Sequence, residues 1–459
     1  MLKLTKSQQR AFDIMASGEN VFLTGDAGTG KSELLKQFIA YATQKHKNLI
    51  ISASTGIAAV ELAGSTVHRA FGLRAQFYEP NEFTPPTAPV RAADIIIIDE
   101  ISMLRIDVFT QVVKQIQRTR KHIQLIVIGD FFQLPPVVRG DDKKLLDTFF
   151  DGKVFAFESE SWRQCNFTNI ILDEVVRQSD REFQEALQIA KEGRPDCLSF
   201  LYDNSSKQCF EEAPTLTPTN KEATSINRRA LDDLDTRPRY YEMQKTGKVQ
   251  RSDLTVEEEI ILKEGARVMI TKNDPDGEFV NGSMGTIVSC GSSSVQVKLD
   301  RTGHVVVVKM NNWEILGYEV KTEKKTIQNK VVSQKRVVQN VIGSYKQLPI
   351  KLAWAITIHK SQGQTFDYVN ISPGCFAEGQ LYVAVSRGRN IQQIYFTSRP
   401  RPQALKASSK VSAFYYKMKH DLPLDITEQL EKDVKRLREE NIELKEHILV
   451  LENQLEKIG

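Results

Sequence analysis

The sequence predicts an α/β protein built on parallel sheets, with a small antiparallel β-barrel inserted in its second half and a coiled-coil helix at its C-terminal end. Three observations carry this. Short apolar runs, Val21-Phe22-Leu23-Thr24, Leu49-Ile50-Ile51-Ser52, Ile95-Ile96-Ile97-Ile98 and Leu125-Ile126-Val127-Ile128, alternate with helical stretches. Continuous β-branched strands of this kind belong in a parallel sheet covered on both faces. From Ala266 the texture changes to period-two runs, Ala266 to Thr271, Gly285 to Ser289, Val295 to Leu299, His304 to Lys309 and Lys330 to Val341, with Asn281-Gly282, Gly291-Ser292 and Thr302-Gly303 between them. Such runs describe a small antiparallel barrel. Finally, Leu430, Leu437, Leu444, Leu451 and Ile458 recur every seven residues, with Val434, Asn441, Ile448 and Leu455 as the other seam.

The units divide accordingly. Residues 1–150 form the first α/β unit; 151–270 and 351–423 form a second, because α/β texture returns from Leu352 through Tyr395-Phe396; 271–350 are the barrel insert; 424–459 are the zipper. A single Asn at a buried seam position specifies a parallel two-stranded coil and its register, so the zipper predicts a parallel homodimer.

The loop Gly25-Asp26-Ala27-Gly28-Thr29-Gly30-Lys31-Ser32 stands between the first apolar run and the amphipathic stretch Glu33 to Ala42. Glycines let successive backbone N–H groups curl around a polyphosphate, and Ser32 opens a helix whose positive dipole end favours the same charge. Gly25, Gly28, Thr29, Gly30 and Lys31 form the expected cradle for ATP or GTP. Lys31 would reach the β- and γ-phosphates, and the Ser32 hydroxyl would ligate Mg²⁺. Asp99-Glu100 ends the run of four isoleucines. Asp99 is the expected second Mg²⁺ ligand, and Glu100 the base that orients and deprotonates the attacking water. Gln133, in the proline-fixed loop Gly129 to Pro136, sits where a neutral amide would sense the γ-phosphate. Arg177 and Arg387, from the second unit, are candidates to reach the transferring phosphoryl group across a cleft, a contribution typically of about 10³–10⁵ in rate. Thr24, Asp99-Glu100 and Gly129-Asp130 all end strands, and in an open parallel sheet those carboxyl ends form the ligand crevice.

Bulk properties bound the class. At 459 residues the chain exceeds one core. No apolar run approaches the roughly 20 residues that span a bilayer, and Met1 to Arg10 lacks a signal-peptide core, so an intracellular protein without membrane contact is expected. Five scattered cysteines with no Cys-x-x-Cys support neither a disulfide framework nor a zinc site. The net charge of +4 conceals a tail, 424–459, with 10 acids and 6 bases; the body is correspondingly more basic, which fits a polyanionic partner. Lys321, Lys324, Lys325, Lys330, Lys335, Arg336, Lys346 and Lys351 in the insert face only Glu323, a bias that suggests contact with nucleic-acid backbone. Phe71, Phe77, Tyr78 and Phe83 lie in or near the proline-rich loop Ala75 to Val90. They read either as anchors of that loop or as a base-stacking wedge.

These motifs, in this order, resemble a known family. Leu4-Thr5-Lys6-Ser7-Gln8, the phosphate loop, Ala53 to Ala59, Gly64 to Leu73, Asp99 to Met103, Gly129 to Pro136, Arg177-Gln178, Thr219-Asn220, Thr357 to Thr365 and Tyr382 to Arg389 follow one another as in superfamily 1B DNA helicases. The set most resembles the petite-integration-frequency helicases, with RecD and the phage Dda enzyme as more distant relatives, and spans roughly residues 2–400. The resemblance implies two RecA-like domains, ATP in the cleft between them and single-stranded DNA across their top. It implies that Gln8 reads the adenine, that Arg177 and Arg387 are arginine fingers, and that Thr66, His68, Asn220, Thr357 and His359 contact DNA. It further implies 5′-to-3′ translocation on single-stranded DNA and unwinding of tailed duplexes; an RNA helicase or nucleic-acid remodeller built on the same core is the alternative. Asp26, Arg105 and Gly388 depart from the family's usual residues.

Overall fold

Every apolar run of the first unit becomes a strand in the computed structural model. It describes residues 4–55, 58–59, 62–74, 76–138, 140–174, 180–274, 276–279, 281–327, 330–420, 436–437 and 440, with the side chains of 141, 252 and 316–339 left aside. Strands β1 (Val21–Gly25), β2 (Leu49–Ala53), β3 (Ser65–Thr66), β4 (Ile95–Asp99), β5 (Gln124–Ile128) and β6 (Thr168–Leu172) form one wholly parallel sheet in the order β3-β2-β4-β5-β1-β6. Alternate side chains serve opposite layers. Val21, Leu23, Ile95, Ile97, Ile126 and Ile128 pack with Ala11 and Met15 of α1 (Lys6–Ser17) and Leu34, Leu35 and Phe38 of α2 (Lys31–Gln44). Phe22, Ile96, Ile98 and Val127 face the other way, onto Phe71, Phe109 and Trp162.

The sixth strand corrects the expected boundary at residue 150. Thr168–Leu172 pairs in register with the whole of β1, Gly25 opposite Leu172, so the first unit reaches past that point. As an edge strand it alternates buried and exposed residues, a pattern too short to stand out in the sequence.

The chain then passes helix α3 (Arg181–Lys191), with Asp180 as its N-cap, and strand β7 (Thr215–Thr217) before entering an antiparallel insertion. This begins at β8 (Arg239–Glu242), not at residue 271 as the sequence suggests, and continues through β9 (Gln244–Gly247), β10 (Glu259–Leu262) and β11 (Arg267–Ile270). Next come β12 (Met284–Cys290), β13 (Ser294–Leu299), β14 (Val305–Lys309), β15 (Asn311–Ile327), β16 (Lys330–Gln347) and β17 (Ile350–Leu352). Five strands form one sheet, β14-β13-β12-β11-β17. Its fifth member is therefore β17, and the expected strand Lys330 to Val341 belongs instead to a long hairpin, β15 with β16, to which β9 adds a third strand. Trp313 stacked on Tyr345, with ring centroids 5.0 Å apart, pins the base of that hairpin. The insertion also touches the first unit through an Arg69–Asp253 ion pair.

After the insertion the chain rejoins β7. Strands β18 (Ala355–Thr357), β19 (Val369–Ile371) and β20 (Ile394–Phe396) complete a second parallel sheet, β18-β7-β19-β20. Helix α4 (Gln380–Val385) links its last two strands, and α5 (Ser409–His420) returns to the first unit. There Phe414 lies stacked on Phe157 at 4.3 Å and reaches Phe22, Phe131 and Trp162. The heptad seam of 424–459 falls outside the described residues apart from 436–437 and 440. Among the described residues no helix is long and apolar enough to cross a membrane.

Phe22 is fully buried where this aromatic cluster joins β1 to α5. Phe22→Ala is expected to cost about 3–5 kcal/mol, read as a lower urea midpoint for the first unit.

Candidate nucleotide site and nucleic-acid edge

The phosphate loop leaves the carboxyl end of β1 and delivers Lys31 and Ser32 as the first residues of α2. Gly30 takes a left-handed conformation, φ 80°, and a side chain there would meet Gln8 Nε2 at 2.5 Å. Gln8 is fixed by the capping box of α1, its Oε1 accepting from the Thr5 backbone N–H at 3.0 Å, while its Nε2 donates to Thr29 O at 3.0 Å. The Q-bearing helix and the loop are thus one assembly. Lys31 Nζ donates to Gly25 O and Asp26 O at 2.8 and 2.9 Å, and Thr29 Oγ1 donates to Asp26 O at 3.0 Å. Burial pulls Lys31 below the usual lysine range, opposed by Asp130 and Glu100.

Glu100 follows the end of β4 in a left-handed conformation, φ 53°. That is costly for a side chain with a Cβ, and such strain collects at functional sites. Burial, then the Asp99 carboxylate, pushes Glu100 up to about 7, against the pull of Lys31, Arg387 and Gln362. A carboxyl group poised there can accept a proton at neutral pH.

The second unit closes over these groups. Gln362 Nε2 donates to Glu100 Oε2 at 2.9 Å and to Gln133 Oε1 at 3.2 Å, so one amide from the second sheet joins the expected base to the expected γ-phosphate sensor. Its own Oε1 is buried without a partner. Gly379, which opens α4 with φ 72°, lies so close to the Gln133 loop that a Cβ would meet the Phe132 and Gln133 carbonyl oxygens at 2.6 Å. Arg387 is fully buried, donating to Val383 O, Gln364 O and Ser386 Oγ at 2.9, 3.1 and 2.9 Å, with its charge within reach of Glu100. Arg177 lies outside the described residues. Behind the loop, Lys191 Nζ sits 2.6 Å from Asp26 Oδ1 and 3.7 Å from Asp130 Oδ2. Tyr382 and Tyr415 reach Asp130 at 3.5 and 3.3 Å. Gln362, Lys191, Tyr382 and Tyr415 were not singled out from the sequence. Gln362 and Tyr382 stand inside quoted motifs, whereas nothing around Lys191 or Tyr415 marks them.

The five residues expected to contact DNA lie at the carboxyl ends of strands. Thr66 ends β3 and caps the helix Val67–Ala70, its Oγ1 accepting from Arg69 N at 3.4 Å. Thr357 ends β18 and caps the turn Ile358–Ser361 in the same way, accepting from Lys360 N at 3.4 Å. Thr-Val-His-Arg at 66–69 and Thr-Ile-His-Lys at 357–360 are therefore one local device used in both sheets. His68 and His359 are half-buried, and burial lowers both below the ordinary imidazole value. Asn220 is exposed and opens the helix after β7.

Of the basic set in the insert, Lys346 is exposed, and Lys351 is pushed down to about 7 by burial and by Lys360; the side chains from Lys321 to Arg336 lie outside the described ones. Phe71 and Tyr78 are buried and Phe77 packs on Phe149 and Phe150 beneath Arg105, so these three are anchors. Phe83 lies under Arg118 at 5.0 Å but stays 41% exposed.

Two parallel sheets, a phosphate loop on one and side chains completing its site from the other define a two-domain P-loop fold. A model of the PIF1-like helicase family matches residues 3–192, and one of the UvrD-like helicase C-terminal domain matches 352–390. The chain is 31% identical over 450 residues to ATP-dependent DNA helicase Pif1 of Campylobacter jejuni, covering 90% of this chain and 97% of that one. It is 34% identical over 444 residues to ATP-dependent DNA helicase PIF1 of Danio rerio, covering 91% of this chain but only 64% of that longer protein. The structure of Bacteroides sp. Pif1 in complex with ADP-AlF4 matches with a TM-score of 0.78 at 28% identity, over 92% of this chain and 98% of that one. The chain belongs to the PIF1-like helicase family of superfamily 1B, and its two parallel sheets are RecA-like domains.

Gln362→Leu removes a hydrogen bond to a charged group, worth about 1.5–3 kcal/mol. We expect kcat for nucleotide hydrolysis to fall by about 10–100-fold with KM little changed, as steady-state kinetics would report.

Proposed function

We propose that this chain is an ATP-dependent DNA helicase that translocates 5′ to 3′ on single-stranded DNA and unwinds tailed duplexes. The observation that carries the reading is the closure of the site by Gln362, which ties Glu100 and Gln133 of the first sheet to the second. A site assembled from two sheets links the state of the nucleotide to the spacing of the domains, and hence to the strand ends bearing Thr66 and Thr357. ATP entering the cleft draws the domains together, hydrolysis releases them, and the two Thr-x-His devices shift their grip in turn. Relatives support this: solved structures include Bacteroides Pif1 bound to ssDNA, and a study of unwinding at forked dsDNA by two coordinating Pif1 helicases.

In the roles assigned here, Lys31 and the loop residues Gly25, Gly28, Thr29 and Gly30 hold the phosphates, and Gln8 reads the adenine. Glu100 takes the proton of the attacking water, Gln133 senses the γ-phosphate, and Arg177 and Arg387 stabilise the transferring group. Ser32 and Asp99 are hard oxygen donors suited to Mg²⁺. When bound, that ion neutralises charge on the transferring phosphoryl group. Asn220 with the two Thr-x-His pairs contacts the DNA strand, and the inserted antiparallel sheet is read as a small SH3-like barrel beside it.

Strand separation on two duplexes of equal length, one 5′-tailed and one 3′-tailed, tests the reading. Only the 5′-tailed duplex should open with ATP and Mg²⁺; opening from the 3′ tail alone would overturn the polarity, and stimulation of hydrolysis by RNA as strong as by DNA would overturn the substrate class. Lys31→Ala should abolish hydrolysis and leave weak DNA binding.

The heptad seam of 424–459 is read as a parallel dimerising zipper. Sedimentation with and without those residues should show the mass halving on truncation; an unchanged mass would remove the dimer.

A further inference from the structure

The phosphate loop carries a negative charge of its own. Asp26 is its second residue, and its carboxylate stands within electrostatic reach of the Lys31 ammonium, the group that meets the β- and γ-phosphates. A fixed carboxylate there opposes the charge the loop exists to bind. The structure supplies its neutraliser from the other domain. Lys191, the last residue of α3, places Nζ 2.6 Å from Asp26 Oδ1. Gln188, one turn earlier, donates to Asp26 Oδ2. Helix α3 packs on α4 and on the helix Cys197–Asn204, so it travels with the second sheet.

Lys191 is held firmly. Its ammonium also lies 3.7 Å from Asp130 Oδ2 and over the rings of Phe132 and Tyr415, at 4.9 and 5.4 Å from their centroids. Its side chain is 10% exposed, that of Asp26 19% and that of Asp130 fully buried. Asp130 keeps other donors, the Phe132 backbone N–H at 3.1 Å and the two tyrosine hydroxyls, so it does not depend on Lys191 alone. Among the described residues the Asp26 carboxylate takes its hydrogen bonds from Lys191 and Gln188, and both come from α3.

We propose that Asp26 and Lys191 form a charge interlock between the domains: Asp26 repels the γ-phosphate while the cleft is open, and closure brings Lys191 to cancel that repulsion. Lys191 is a positioning residue in this scheme, acting on the nucleotide through Asp26. The consequence is selectivity for closure. ATP, which carries the γ-phosphate, binds well only when α3 is seated, whereas ADP, ending one phosphate short, is much less sensitive. This deepens the proposed function and rests on the reading of the cleft as an ATP site.

The test is equilibrium binding of fluorescent ATP and ADP analogues to the full chain without DNA. Lys191→Met should weaken ATP by roughly tenfold or more and ADP by less than about threefold, and Asp26→Asn added to it should restore most of the lost ATP affinity. Asp26→Asn alone, a change in a loop that leaves Lys191 paired with Asp130, should tighten ATP relative to ADP. It decides the matter even if the Lys191 variant does not fold. A purely structural ion pair predicts the opposite pattern, with ATP and ADP weakened alike, no rescue in the double variant, and no ATP-specific gain from Asp26→Asn; any of these overturns the interlock. A parent chain that binds neither nucleotide overturns the functional reading and the interlock together, whereas normal parent binding with unmoved variants overturns the interlock alone.

Discussion

The reach of Gln362 from the second sheet to Glu100 and Gln133 of the first is the contact on which the site depends. The carboxyl ends of β1, β4 and β5 assemble a phosphate loop and three acids, Asp99, Glu100 and Asp130, but nothing in that sheet covers them. Cover comes from α4 and from the turn after β18, and it comes close: at Gly379 the approach of two backbones leaves no room for a Cβ. Glycine is required there by the meeting of the domains, whereas at Gly30 it is required by the left-handed backbone, φ 80°. The Gly379 contact is short-range and steric, so the cover is either seated or withdrawn.

Electrostatics sharpens that choice. Lys31, Lys191, Glu100, Asp26 and Asp130 are ionisable groups packed at the domain junction, where removing charge from water is costly unless partners are well placed. Each has partners, and several of those partners cross the junction. The strained backbone of Glu100 belongs to the same economy of design, because a residue forced into the left-handed region persists only where its surroundings overdetermine it. The Asp99 side chain does part of that by accepting from the Glu100 backbone N–H at 2.8 Å.

Much of this was legible in the sequence because the signals were local. Four isoleucines before Asp99-Glu100 can only be a buried strand ending in acids, and the glycine spacing before Lys31-Ser32 has few other uses. The seam of the second domain was legible too, since the α/β texture resumes at Leu352. What escaped was set by tertiary partners. The hairpin of β15 and β16 is rich in Lys, Glu, Thr and Val without a continuous apolar face, so only its second half stands out in the sequence, and the period there does not say which sheet it joins. Strand β6 is five residues at a sheet edge. Lys191 looks like any lysine at the end of an amphipathic helix until the fold carries it to Asp26. The aromatic residues near the loop 75–90 offer two readings, and for Phe77 the anchor is chosen by Phe149 and Phe150, distant in sequence.

Helix α5 has a topological meaning beyond its packing. The chain passes from the first sheet to the second between β6 and α3, and it comes back when Phe414 and Tyr415 lodge beside Phe157 and Thr24. The second sheet is therefore bracketed in sequence by the first unit, which precedes it and takes up the helix that follows it.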